Sequence, residues 1–70
     1  MSIADLEQGL ARFEDALFNQ GSSLSGSTLS DMEQTMSMMA MYLGEKLGDS
    51  KANELLLRID KCFDRIDSLK

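Results

Sequence analysis

The chain has no histidine, no proline and no tryptophan, and only one cysteine, Cys62. Each absence removes a class of answer. Without histidine the commonest general acid–base group is missing. One cysteine with no histidine cannot form an intrachain disulfide, nor can it supply the nitrogen and sulfur ligands of a zinc site. No glycine-rich phosphate loop, Gly-x-Ser-x-Gly elbow or Cys-x-x-Cys pair occurs. Paired carboxylates do occur, as Glu14-Asp15 and as Asp60 with Asp64. They stand among charged and polar neighbours, away from any apolar stripe, and read as solvated helix faces. Asp60, Asp64 and Asp67 are interleaved with Lys61 and Arg65, and no twelve-residue calcium loop is present. These residues predict a non-enzymatic protein with no cofactor, no metal and no small-molecule substrate.

Basic residues are also scarce. The net charge is −5 with a pI near 4.4. A broad basic face for nucleic acid is disfavoured, because neutralising phosphates takes clustered Lys and Arg. Docking on an anionic membrane is disfavoured for the same reason. The longest apolar run is broken by Ser37 and Gly44, too short to span a bilayer. The opening residues lack the basic region of a signal peptide. The expectation is a soluble, cytoplasmic protein with Cys62 a buried, reduced thiol.

What the chain does have is helical periodicity across one domain, residues 1–70. Ile3, Leu6, Leu10, Phe13 and Leu17 step by three or four, which predicts a helix over about 3–19 with Ser2 as N-cap and Gly21 as a left-handed stop. A glycine- and serine-rich loop follows, with Leu24 as its one apolar anchor. Leu29, Met32, Met36, Met39, Leu43 and Leu47 predict a second helix over about 29–47. Ser30 with Glu33 and Thr28 with Asp31 compete as its start, and Gly48 is the natural end. Ala52, Leu55, Ile59, Cys62, Ile66 and Leu69, widened by Leu56 and Phe63, predict a third helix over about 51–68. The short turn at Gly48-Asp49-Ser50 makes helices two and three antiparallel neighbours. The fold class is all-α: a small three-helix bundle, with helix one packed on the hairpin of helices two and three.

Five methionines lie between Met32 and Met41, and they do not all point the same way. At roughly 100° per residue, Met38 and Met41, with Tyr42 beside them, lie well round the helix from the Met32–Met36–Met39 stripe. Methionine is unbranched and polarizable and repacks against irregular partners. Tyr42 adds an amphipathic anchor of the kind enriched at interfaces. Leu57 is the odd apolar residue of helix three, opposite Leu55 and Ile59. Met38, Met41, Tyr42 and Leu57 are thus the candidate partner-binding residues. Seventy residues leave a thin margin over conformational entropy of about 1.5 kcal/mol per ordered residue, which a partner or a second copy would widen.

Residues 1–20 carry Asp5, Glu7, Glu14 and Asp15 against Arg12 alone, a candidate acidic face. The leading functional expectation is a small acidic protein–protein interaction module, an adaptor, co-chaperone or subunit that meets a protein partner or itself. In size, acidity and helical make-up the chain resembles the small chaperones and co-chaperones of bacterial secretion systems, a resemblance of class that rests on no motif. The alternative is a phage-type inhibitor or nucleic-acid mimic, whose acids would engage a basic groove. A helix-turn-helix-like DNA-binding regulator is the third reading. The five acids of residues 49–70 cancel its five bases and weigh against it.

Overall fold

The computed structural model describes residues 2–70. Helix α1 spans Ile3–Asn19, α2 spans Gly26–Gly44 and α3 spans Ser50–Leu69, with a short 3₁₀ turn at Gly21–Ser23 between the first two. Among the described residues there is no strand. A 20-residue helix is about 30 Å long. The molecule measures 36 × 18 × 17 Å, so all three helices run along its long axis. Contacts between α1 and α3 join early residues to early and late to late, from Glu7 with Lys51 to Leu17 with Arg65. These two helices are therefore parallel, and α2 runs back between the ends they share.

The stripes expected from periodicity form the core. Leu6, Leu10 and Leu17 of α1, Leu29, Met32, Met36 and Leu43 of α2, and Ala52, Leu55, Ile59, Cys62 and Ile66 of α3 make one buried cluster. Ile3, Phe13, Leu24, Met39, Leu56, Phe63 and Leu69 pack around it, half-buried. The steps of three and four place these side chains on one side of each helix, which is what lets three helices share a single seam.

Local chemistry sets the ends. The Ser2 hydroxyl accepts the Asp5 N–H at 3.2 Å, as the sequence predicts for the start of α1. The α2 start differs from expectation. Ser25, not Thr28 or Ser30, is the N-cap, its hydroxyl accepting the Thr28 N–H at 3.2 Å and lying 2.9 Å from the Thr28 hydroxyl. Several Ser and Thr residues compete here, and the earliest cap that still buries Leu29 adds a turn of backbone hydrogen bonds. The α2 end differs too. After Gly44 the chain tightens, Glu45 N–H donating to the Tyr42 carbonyl and Lys46 N–H to that of Leu43, three residues back rather than four. Leu47 thereby loses the phase of the stripe and is 58% exposed rather than core. Its carbonyl accepts from the Asn53 side chain at 3.1 Å, which ties the turn to α3. The Asp49 carboxylate accepts the Lys51 N–H at 2.8 Å and caps α3.

Gly21 is a third departure from expectation. No described glycine has positive φ, and Gln20 is the residue that caps α1. Gly21 is buried because α3 comes close: a Cβ there would lie 2.9 Å from a Leu69 methyl and 3.2 Å from the Arg65 guanidinium. Its small size, and not left-handed backbone, is what this position uses.

Candidate functional site

Two sets of side chains have more to do than fill the core, and they lie on different helices. The first joins α1 to α3. Glu7 and Glu14 are one heptad apart, as are Lys51, Arg58 and Arg65, and each set flanks its own core stripe. Parallel packing brings them together. Arg58 donates through Nε to Glu14 Oε2 at 3.0 Å and through Nη2 to Glu14 Oε1, and through Nη1 to Glu7 Oε2 at 3.0 Å. Lys51 Nζ lies 2.7 Å from Glu7 and 2.7 Å from Glu54. This is the geometry of flanking charge pairs in a parallel coiled coil. The hydrogen bond from Lys51 holds the Glu7 carboxyl below its ordinary value, aided by Arg58. Glu14, before Glu7, raises Arg58 further above its own. One heptad on, the glycine at 21 offers no carboxylate. Arg65 there donates Nε to the Leu17 carbonyl at 3.0 Å and lies over the Phe18 ring, 5.9 Å from its centroid. It satisfies an end carbonyl of α1 and covers a half-exposed aromatic in one placement.

The candidate acidic face is thereby divided. Glu7 and Glu14 are bound internally by α3. Asp5 and Asp15 are exposed elsewhere round α1, Asp15 accepting the Asn19 amide at 2.5 Å. The four do not make one surface. Periodicity alone could not reveal the Glu7–Glu14–Arg58 ladder, because its pairing requires α1 and α3 to be parallel. The heptad spacing of both charge sets is the signal that would have found it.

The second set is on the outside of α2. Met38 is 71% exposed and Met41 74%. On the helix they lie roughly 180° from buried Leu29, Met36 and Leu43. Gln34 lies four residues before Met38 and Glu45 four after Met41, giving an outward stripe Gln34, Met38, Met41, Glu45. Asp31 sits on the same side one turn earlier, and both acids are exposed. Among the described residues no ion pair reaches Asp31 or Glu45. Positions 13–45 hold five acids and no Lys or Arg. One of these acids, Glu33, meets Lys70 at 3.3 Å on a different side of α2.

Tyr42 does not join Met38 and Met41 in the open. It is half-buried against the core, with Lys46 Nζ 5.6 Å from its ring centroid. Leu57 is 68% exposed on the side of α3 opposite its core stripe, so it belongs to a different face of the bundle from the two methionines. Cys62 is fully buried, and desolvation, with the Glu14 charge second, pushes its thiol up to about 11. A thiol held neutral and enclosed in apolar surroundings is a poor nucleophile.

Among the described residues no group of three or more acids, Cys or His is placed to hold a metal ion. No pocket opens among them, and no helix is long and apolar enough to cross a membrane. Comparison with protein-family models, curated proteins and solved structures finds no match to this chain.

Proposed function

We propose that this chain is a small acidic helical interaction module, acting as an adaptor, co-chaperone or subunit by presenting the outer face of α2 to another polypeptide. One observation carries the reading. Met38 and Met41 stand side by side in solvent on a helix whose opposite face is fully committed to the core. Their exposure contributes nothing to folding, and removing apolar side chains from water is the main favourable term in protein association. Methionine suits the role because its three rotatable bonds let it adapt to the surface it meets. Tyr42, half-buried at the edge of the stripe, borders the docking face. Leu57 stands apart on α3 as a lone exposed leucine, of a kind that needs no special role.

The nucleic-acid-mimic reading has less to work with, since Glu7 and Glu14 are already bound by Lys51 and Arg58. A helix-turn-helix crosses its helices at about 90–120°. A bundle 18 × 17 Å in section leaves no room for that crossing of α2 and α3.

The test is the double variant Met38→Lys, Met41→Lys. It is expected to melt as the wild type does, because neither side chain is in the core. It is also expected to lose the complexes that the wild type forms in extracts of its own cells, read by sedimentation velocity with reducing agent present. A folded double variant that keeps every wild-type association would overturn the proposal.

A further inference from the structure

The surroundings of the two methionines narrow what docks there. The stripe is apolar at its centre and mainly acidic at its ends: Glu45 lies beyond Met41, Asp31 and Gln34 before Met38, no Lys or Arg stands within α2, and one base, Lys46, sits over the Tyr42 ring at the border. Both acids are exposed and among the described residues neither is in an ion pair, so their charge is available to an incoming group. A second copy is the wrong occupant. It would bring another chain of net charge −5 against the first, with its own Asp31 and Glu45 facing like charges.

Resting on the interaction-module reading, we propose that the α2 outer face binds a cationic amphipathic helix of another protein. The partner's apolar residues pack across Met38 and Met41, and its Lys or Arg residues flank them to meet Asp31 and Glu45. An exposed helix face offers no unpaired backbone edge for an extended strand to join. It does offer a ridge with i, i+3 spacing that a second helix can straddle. The acids contribute to encounter rate and orientation, and the methionines to the dry centre.

The experiment uses the full chain with ¹³C-methyl methionines and two synthetic helical peptides of about 18 residues, roughly five turns. Both carry the same leucine stripe; one is flanked by lysines, the other by glutamates. The lysine peptide is expected to move the Met38 and Met41 methyl signals and leave Met32 and Met36 in place. It is expected to bind about tenfold more tightly than the glutamate peptide, as two exposed charge pairs allow. Asp31→Asn with Glu45→Gln should erase that preference, and Met38→Gln with Met41→Gln should abolish binding of both peptides. Equal response to the two peptides, or response to neither, overturns the proposal. Methyl shifts that follow the protein's own concentration but ignore the lysine peptide overturn it too, since a second copy then takes the face. That last result leaves the interaction-module reading standing, whereas failure of the Met→Lys test in extracts removes both.

Discussion

Met36 and Met38 are two residues apart on one helix and carry the same side chain, yet one is fully buried and the other 71% exposed. Replacing each by alanine isolates what burial contributes. Met36→Ala removes a side chain enclosed by the twelve-residue buried cluster, a change that costs about 2–5 kcal/mol in a core that relaxes only partly. A chain of 70 residues has a total stability of about 4–10 kcal/mol, at roughly 0.05–0.15 kcal/mol per residue. The substitution therefore removes a large share of the stability, and Tm falls by about 10–20 °C or more. Met38→Ala removes nothing from the core and gains slightly in helix propensity, so its effect stays within about 0.5 kcal/mol of zero. Urea denaturation followed by circular dichroism, with the two midpoints compared at a common slope, measures both. Equal losses, or a loss above about 1.5 kcal/mol for Met38→Ala, would refute the assignment of opposite roles to the two faces of α2.

Three other expectations follow from the packing of α3. A double-mutant cycle on Arg58→Met and Glu14→Gln should give a coupling of about 1 kcal/mol, because the fork is bidentate but about a quarter exposed; a coupling near zero in low salt contradicts the ladder. Cys62 titrates at about 11 when folded against an ordinary 9.0, so the unfolded chain sheds its proton first. The stability that this thiol contributes is therefore present below pH 9 and is lost as pH rises from about 9 to 11, by up to about 2–3 kcal/mol. Cys62→Ala should flatten that part of the profile, and an unchanged slope would contradict it. Gly21→Val should destabilise by about 1–3 kcal/mol through overpacking against Leu69, and Leu69→Ala should give back part of that loss; additive losses in thermal melts would show that the two positions do not meet.

The apolar stripes were legible because burial in a bundle follows the 3.6-residue period directly. The core residues from Leu6 to Ile66 needed nothing beyond that period, and the start of α1 needed only the Ser2 cap beside it. The ends of α2 were less legible. Ser25, Thr28 and Ser30 are all competent caps, and the choice among them is decided by how many hydrogen bonds each start adds. Leu47 continues the stripe on paper, but the tightened turns after Gly44 carry it out of phase. Gly21 reads as a helix stop because glycine so often is one, whereas its role depends on Arg65 and Leu69, 44 and 48 residues away in sequence. Tyr42 lies at an angle on the helix where a small change in packing decides between core and surface. The acids at Glu7 and Glu14 looked available until the parallel placement of α3 brought Arg58 between them. In each case the missing information was tertiary.

The exposure of Met38 and Met41 leads to the central claim that the outside of α2 meets another polypeptide. Site-specific photo-crosslinking tests it most directly, with a photoreactive amino acid at position 38 in one chain and at exposed Asp60 of α3 in another, both expressed in the cells that make the protein. The account predicts a discrete covalent adduct from position 38, lost when Met41→Lys is added, and none from position 60. No adduct from position 38, or the same adducts from both positions, would contradict it.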